Sequence, residues 1–235
     1  MTHRFARRLI ATMGLGMIAM SAFADAQDDA IRTHCPGAQA WMDRMAALSG
    51  RQAAPSDVVS DPRLRDALRD HFKADAEARQ AWIAAQGARP AAEHMNGVDR
   101  ENLAWMKTRF ANGLPTAAQV GREGLNDAFV LVQHADANPT FQASMLPSIT
   151  AWAKQGDLPR GDVALLTDRV LRAEGKPQRY GTQYVFTTPG DLTKMKRQPT
   201  EDPAHLAQRR ASMDLMSSAD YECVLKVTYA GSAGR

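Results

Sequence analysis

The spacing of apolar residues along the chain predicts a mainly α protein. In the first third of the chain, apolar residues recur at intervals of three and four, as in Trp41-Met45-Leu48 and Leu64-Leu68-Phe72. These intervals place side chains on one face of an α-helix. Residues 86–97, which contain two glycines and Pro90, interrupt the pattern. They are the predicted boundary between an N-terminal helical segment, residues 27–87, and a helical core domain, residues 98–230.

Capping signals predict where helices of the core domain begin. Asp99 is a predicted N-cap, because it directly precedes a stripe of apolar residues. Thr116 and Gln119 have the spacing of a capping box, in which the two residues satisfy each other's free backbone groups. Asn138 followed by Pro139 predicts an N-cap with proline in the first helical turn. The core domain is therefore expected to contain several consecutive helices.

Two stretches of the core domain differ from the amphipathic pattern. Residues 128–132 are apolar throughout, which indicates a helix that is buried on most sides. Residues 180–187 are rich in aromatic and β-branched side chains, which is typical of an extended segment. We further predict a charged loop over residues 194–202, whereas residues 224–229 fit either a helix or a strand. The predicted fold is a mainly α, helical domain with a short extended or β segment near residues 180–187.

The first 26 residues have the three parts of a secretory signal peptide: a basic start, an apolar run and small residues at the end. The apolar run, residues 9–23, is 15 residues long, shorter than the roughly 20 that a membrane-spanning helix needs. Small residues allow cleavage after Ala24 or after Ala26. We therefore expect a periplasmic or secreted protein without a membrane span.

The net charge of +3 belongs mostly to this predicted signal peptide. Residues 1–26 hold three arginines and one aspartate, so 29 − 3 = 26 basic and 26 − 1 = 25 acidic residues remain. A chain this close to neutral lacks the basic footprint of a nucleic-acid-binding protein. The expected partner is an unknown polar ligand or an envelope protein, and no cofactor is identifiable.

The two cysteines of the chain, Cys35 and Cys223, lie near its opposite ends. In an oxidising compartment an even number of cysteines favours a disulfide, and we predict one between them. Two buried free thiols are the alternative. A catalytic thiol is a third and less favoured possibility.

Polar residues are concentrated in three segments of otherwise apolar sequence: residues 133–136, residues 168–169 and residues 178–183. The chain carries no glycine-rich phosphate loop, no nucleophile elbow and no zinc-binding histidine pair. We therefore expect any functional site to arise where these three segments converge.

The same segments resemble a bacterial family that is known only as a domain of unknown function, numbered 6624. The resemblance covers residues 99–221 and is carried by Gly113-x-Pro115-Thr116, Val120-Gly121, Leu131-Val132-Gln133-His134-Ala135-Asp136, Leu166-Thr167-Asp168-Arg169-Val170 and Gly175-Lys176-Pro177-Gln178-x-Tyr180-Gly181-Thr182-Gln183. Leu114 and Asp214 stand where the family usually has tryptophan and glycine, and neither lies in a polar segment. The resemblance implies no known activity.

In a functional interpretation, these three segments line one pocket. His134 would act as a general acid or base at a helix C-terminus, whose dipole favours the protonated imidazole, and Asp168 would orient it or hold a metal. A polar ligand would be hydrogen-bonded by the remaining polar residues of the segments and their neighbours, Gln133, Asp136, Gln142, Arg169, Gln178, Tyr180, Thr182 and Gln183. The leading expectation is a ligand- or partner-binding protein.

Two alternatives remain open at the level of the sequence. In the first, the protein is a hydrolase-like enzyme that uses His134 with Asp168, with a hard cation at His134, Asp136 and Asp168 as one variant. In the second, the polar residues are structural: Asp168 pairs with an arginine, Gln178 and Gln183 satisfy backbone groups, and His134 caps its own helix. Buried polar groups need partners whatever a protein does.

Overall fold

The computed structural model describes residues 10–11, 21–49, 59–189 and 191–230, and within them it is mainly α. The helices of this part of the chain are α1 (Ser21–His34), α2 (Pro36–Ser49), α3 (Pro62–Ala84), α4 (Arg89–Arg109), α5 (Ala117–Gln133), α6 (Pro139–Gln155), α7 (Arg160–Ala173), α8 (Leu206–Ser212) and α9 (Ser218–Ala230). The strands are β1 (Ile10–Ala11), β2 (Tyr184–Thr188) and β3 (Asp191–Arg197), and a 3-10 helix, Pro203–His205, precedes α8. The predicted mainly α fold with a short β segment is confirmed.

Helices α3 to α7 pack around α5 and enclose the first hydrophobic core. Residues 128–132 of α5 are all buried, as their uniformly apolar sequence predicts. The stripe that contains Leu64 and Leu68 faces this core from α3. Helix α5 is thus the central element of the bundle, and its C-terminal end brings His134 to the edge of the core.

Local capping chemistry sets several helix starts in the predicted way. The backbone N–H of Thr116 donates to Oε1 of Gln119 at 2.8 Å, as part of the predicted capping box. Oδ1 of Asn138 accepts from the N–H of Phe141 at 3.0 Å and caps α6. These signals use neighbouring residues only, which is why the sequence reveals them.

The predicted break over residues 86–97 is mostly helix. Helix α4 begins at Arg89 and continues through Gly97, and Asp99 lies inside it rather than at its N-cap. Pro90 stands in the first turn, where its missing N–H costs no intrahelical hydrogen bond. A single glycine such as Gly97 lowers helix stability by about 1 kcal/mol, which packing can override. The break is therefore limited to the short turn between α3 and α4.

The second hydrophobic core is built from α1, α2, α9 and the sheet. Strand β2 pairs antiparallel with β3, with Val185 opposite Lys196, so residues 194–197 belong to a strand and not to the predicted charged loop. Residues 224–229, for which the sequence allowed helix or strand, are helical. The predicted disulfide joins Cys35, between α1 and α2, to Cys223 of α9.

Helices α3 and α4 each extend from one core to the other. On α3, Leu68 packs in the first core and Trp82 in the second; on α4, Met106 packs in the first and Met95 in the second. The residues that lie between these anchors are therefore placed where the two cores meet. This junction holds the cluster of charged side chains described below.

Most of the predicted signal peptide, residues 1–9 and 12–20, lies outside the described residues. Ile10 and Ala11 pair with β2, and the two predicted cleavage positions, after Ala24 and after Ala26, fall in α1. Within the described ranges, no helix is long and apolar enough to cross a membrane.

Candidate functional site

Asp168 anchors the segment that connects α7 to β2. Its carboxylate is fully buried and accepts the backbone N–H groups of Arg179, Tyr180 and Thr182 at 2.6, 2.9 and 3.0 Å. The hydroxyl of Thr182 donates to it at 2.9 Å. Burial raises the pKa of Asp168, although the backbone donors oppose this rise. The partners of Asp168 are thus backbone groups and a hydroxyl, and not the arginine of the structural alternative.

The two glutamines of this connection also serve backbone groups, as the structural alternative expects. Nε2 of Gln178 donates to the carbonyl oxygens of Gln183 and Gln198 at 3.1 and 2.8 Å. Oε1 of Gln178 accepts the N–H of Gln183 at 2.7 Å, and Nε2 of Gln183 donates to the hydroxyl of Thr182 at 2.9 Å. Tyr180 contributes its backbone N–H and carbonyl to the same connection.

Arg210, a buried side chain on α8, contacts the backbone of the segment between α7 and β2. Its guanidinium donates to the carbonyl oxygens of Met216 at 2.8 Å and Tyr180 at 2.7 Å. We call the residues Asp168, Thr182, Gln178, Gln183 and Arg210 the anchoring network. Its side chains hydrogen-bond mainly to backbone groups of the same chain, which is the pattern of a structural role.

His134 belongs to a different group of residues, at the junction of the two cores. Nδ1 of His134 lies 2.9 and 3.0 Å from the two carboxylate oxygens of Asp75 on α3. Nε of Arg79, one turn further along α3, lies 2.8 Å from the same Nδ1, and its Nη2 lies 3.2 Å from Asp75. Nη2 also donates to Oδ1 of Asp99 on α4 at 2.6 Å.

Arg169 and Asp136 lie near enough to this group for their charges to shift the pKa of Asp99, although no hydrogen bond joins the two sets among the described residues. Nη1 of Arg169, on α7, donates to Oδ1 of Asp136, in the connection between α5 and α6. Nε2 of Gln142 donates to the same oxygen at 3.1 Å. The side chain of Arg169 is 2% exposed and that of Asp136 is 44% exposed, so the pair runs from the interior to the surface. We call Asp75, Arg79, Asp99, His134, Asp136, Gln142 and Arg169 the junction cluster.

Several polar atoms of the junction cluster are buried without a partner among the described residues: Nε and Nη2 of Arg169 and Nε2 of His134. Nε2 and Oε1 of Gln133, the residue before His134, are likewise buried without a partner among the described residues. Leaving a buried donor or acceptor unpaired costs about 1–3 kcal/mol, and more when the group is charged. In the anchoring network, Arg210 directs Nε and Nη1 at backbone carbonyl groups, and its Nη2 and Oε1 of Gln183 have no partner among the described residues. Arg169 differs because both atoms of one guanidinium edge, Nε and Nη2, are unpaired together.

The charge states in the junction cluster follow from burial and from the neighbouring arginines. Burial and the positive charge of Arg79 lower the pKa of His134, so the imidazole is neutral at pH 7. This reverses the expectation that the helix dipole favours the protonated form. Burial opposes ionisation of Asp75, but His134 and Arg79 together outweigh it and lower the pKa of that carboxyl.

Two opposed kinds of contact meet at Nδ1 of His134. The carboxylate oxygens of Asp75 only accept hydrogen bonds and therefore require a proton on Nδ1, whereas Nε–H of Arg79 donates to the same nitrogen at 2.8 Å and requires a lone pair there. In the tautomer that carries its proton on Nδ1, Nε2 presents a lone pair and is available as a base. In the other tautomer, Nε2 is a donor.

Asp99 experiences the negative potential of the cluster. Burial raises its pKa to about 7; Arg79 opposes the rise, and the negative charges of Asp75 and Asp136 add to it. By contrast, Arg169 overcomes the effect of burial at Asp136 and lowers the pKa of that carboxyl. Near neutral pH the cluster therefore holds two ionised carboxylates, a half-ionised third and two guanidinium groups.

The structure separates the predicted site residues into two groups instead of one pocket. His134, Asp136, Gln142 and Arg169 belong to the junction cluster, whereas Asp168, Gln178, Thr182 and Gln183 belong to the anchoring network, which Tyr180 contacts through its backbone. His134 and Asp168 share no hydrogen bond, and the carboxylate partner of His134 is Asp75. Asp168 and Arg169 are consecutive on α7, and successive helical residues point about 100° apart, which is why they join different networks.

Sequence reasoning missed Asp75, Arg79 and Asp99, although a signal was present. Asp75 stands seven residues after Leu68, at a position where the apolar stripe of α3 should continue. Asp99 lies between Met95 and Met106 at helical spacing on the buried stripe of α4. A charged residue on a buried stripe has to find a partner, and this is the signal that could have identified them.

Metal coordination has no preformed geometry here: within the described residues, no group of three or more His, Cys, Asp or Glu side chains is arranged to hold an ion. Asp75 and Asp136 already contact arginine side chains. The chemistry that the cluster offers is therefore hydrogen bonding and charge pairing, through the unused edge of Arg169 and Nε2 of His134.

Comparison with known proteins agrees with the resemblance of the sequence motifs and extends it. No curated protein and no solved structure matches the chain. The model of a family of unknown function, DUF6624, matches residues 62–232. This range begins with α3 and includes every residue of the anchoring network and of the junction cluster, and the chain is by this match a member of that family of unknown function.

Proposed function

We propose that the protein is exported and binds a small ligand that carries a carboxylate or phosphate group, held by Arg169 in the junction cluster. The observation that carries this proposal is the buried Nε and Nη2 edge of Arg169, which has no partner among the described residues. These two N–H groups are parallel and match the two oxygens of a carboxylate or phosphate. A ligand oxyanion would satisfy both donors at once.

The charge on Arg169 supports a ligand role over a purely structural one. A buried arginine is stable when several acceptors share its donors, yet Arg169 has Asp136 as its one hydrogen-bonded acceptor in the described structure. Arg210, by comparison, directs Nε and Nη1 at backbone carbonyl groups and leaves only Nη2 without a partner among the described residues, whereas Arg169 leaves both Nε and Nη2. The unused edge is buried in this conformation, so entry of a ligand requires the side chains that cover it to move.

Acetate and phosphate are suitable probes for this proposal, each added at constant ionic strength. A ligand that binds the folded state raises the melting temperature with increasing concentration. We expect this rise in the wild type and its loss in Arg169→Lys, because lysine keeps the charge opposite Asp136 but lacks the planar pair of donors. Arg160→Lys is the matched control, since Arg160 is an exposed arginine on the same helix. Equal rises in all three proteins would overturn the proposal.

Export is supported by the disulfide between Cys35 and Cys223, because such bonds persist in oxidising compartments. The test is mass spectrometry of the N-terminus of the protein recovered from the periplasmic or secreted fraction. We expect a chain that begins at Asp25 or at Gln27, after cleavage behind Ala24 or Ala26. Protein that retains Met1 and stays with the cytoplasmic fraction would contradict export.

A hydrolase-like activity is the second candidate, with Asp75 in the orienting role that the sequence suggested for Asp168. The contact of Asp75 with Nδ1 and the unpaired Nε2 favour it, since in the tautomer protonated on Nδ1 this arrangement leaves a base that can take a proton from water. The probe is p-nitrophenyl acetate. Turnover that His134→Gln abolishes, while acetate still raises the melting temperature, would support the activity. Equal turnover by both proteins would refute it.

A further inference from the structure

We propose that the ligand of the junction cluster is a zwitterion of the α-amino-acid class, whose carboxylate binds the free edge of Arg169 and whose ammonium binds between Asp99 and Asp136. This inference rests on the proposed function, because it uses the same guanidinium. It adds the second half of the ligand, which the carboxylates of the cluster select.

The junction cluster offers a ligand free hydrogen-bond acceptors as well as free donors. Asp99 engages its described partner, Arg79, through Oδ1, and Asp136 engages Arg169 and Gln142 through Oδ1. The Oδ2 atoms of both carboxylates accept no hydrogen bond from any described residue. With Nε2 of His134 as a further acceptor in the tautomer protonated on Nδ1, the cluster offers up to three acceptors, the number that the three N–H groups of an ammonium require.

The total charge excludes a simple anion as the best occupant. With all three carboxylates ionised against two guanidinium groups and a neutral imidazole, the cluster carries one net negative charge. A phosphate dianion would add two negative charges, for a net total of three in a largely buried site, where unpaired charge is costly. A zwitterion adds no net charge. Arg169 therefore selects an oxyanion locally, and its surroundings select a compensating cation on the same molecule.

Repulsion between the carboxylates favours binding of that cation beside Asp99. The negative charges of Asp75 and Asp136 contribute to raising the pKa of Asp99 to about 7, which means that the three carboxylates repel one another. An ammonium between Asp99 and Asp136 would relieve this repulsion. Both side chains reach the surface, with exposed fractions of 17% and 44%, so the ammonium of a ligand can approach them from solvent.

The experiment is isothermal titration of the full chain with the twenty common amino acids and with two fragments of glycine. N-acetylglycine keeps the carboxylate and lacks the ammonium, and methylammonium keeps the ammonium and lacks the carboxylate. We expect at least one amino acid to bind ten-fold or more tightly than either fragment. Asp99→Asn should weaken that amino acid ten-fold or more and should not weaken N-acetylglycine, because the loss of a negative charge from the cluster favours an anion. Asp43→Asn, on the exposed face of α2, is the matched control and should change neither.

The outcomes separate this inference from the proposed function. If N-acetylglycine binds as tightly as every amino acid, the inference is overturned while the carboxylate-binding function stands. If Asp99→Asn weakens N-acetylglycine and the amino acid equally, the ammonium does not bind at Asp99, and the inference is again overturned. If no carboxylate binds, the inference is overturned, and if phosphate also fails to raise the melting temperature, the proposed function fails with it.

Discussion

Replacing Asp168 should destabilise the fold far more than replacing an exposed aspartate. Its carboxylate is fully buried and accepts three backbone N–H groups and the hydroxyl of Thr182. In Asp168→Ala all four donors lose their acceptor. A hydrogen bond to a charged group contributes about 1.5–3 kcal/mol, and part of the loss is returned because a buried charge is removed. We expect Asp168→Ala to lower the free energy of unfolding by about 4 kcal/mol or more.

Asp168→Asn is the sharper variant, because it keeps the shape of the side chain. One oxygen remains to accept from Arg179 and Tyr180, while the amide nitrogen that replaces Oδ2 meets the N–H of Thr182 with a second donor. One buried N–H then lacks an acceptor, at a cost of about 1–3 kcal/mol. The expected order of stability is therefore wild type, then Asn, then Ala.

Urea unfolding followed by circular dichroism at 222 nm measures this order, because the described chain is mostly helical. Asp66→Ala is the control: Asp66 is 67% exposed and contacts Arg65 at the surface, and such pairs contribute at most about 1 kcal/mol. If Asp168→Asn and Asp168→Ala both stay within about 1 kcal/mol of the wild type, the anchoring role is refuted, and Asp168 regains its place among the candidates for function.

Two further predictions concern the rest of the fold. The disulfide between Cys35 and Cys223 closes a loop across 188 residues of sequence, so chain entropy predicts that its reduction lowers the free energy of unfolding by up to about 5 kcal/mol. Denaturation with and without reductant measures this loss. The Cys35→Ala/Cys223→Ala variant should have the same free energy of unfolding in both conditions. Burial raises the pKa of Asp162 from 3.8 to about 7, so the fold favours the neutral carboxyl and this group adds stability, on the order of 2 kcal/mol, as the pH falls from 8 to 5. Asp162→Asn should remove that gain, and an unchanged difference between urea curves at the two pH values would contradict it.

The parts of the fold that sequence predicted well are those set by neighbouring residues. The capping pairs at Thr116 and Asn138 act over three residues, and the uniformly apolar composition of residues 128–132 is enough to predict that they are buried. The errors arose where tertiary packing overrides local preference. Helix α4 passes through Gly97 because its buried stripe packs on both cores, and the charged residues at 194–197 form a strand because pairing with β2 satisfies their backbone.

The candidate site was predictable in part, for the same physical reason. His134, Asp136, Gln142 and Arg169 could be named, because polar residues beside apolar runs are visible in the sequence. Their partners could not, since Asp75 lies 59 residues before His134 and only the packing of α3 against α5 brings them together. A pattern shows that a buried charge needs a partner, and the fold decides which residue it is.

What divides scaffold from site in this chain is the use that each buried side chain makes of its hydrogen-bonding capacity. Asp168 directs its carboxylate oxygens at backbone donors, and these bonds hold the connection between α7 and β2. Arg169, the next residue, uses one nitrogen on Asp136 and keeps two unpaired. Selection for stability alone favours full pairing of buried polar groups. Under the proposed function, a ligand completes the guanidinium of Arg169, so we expect substitution of Arg169 to impair ligand binding and substitution of its neighbour Asp168 to impair stability.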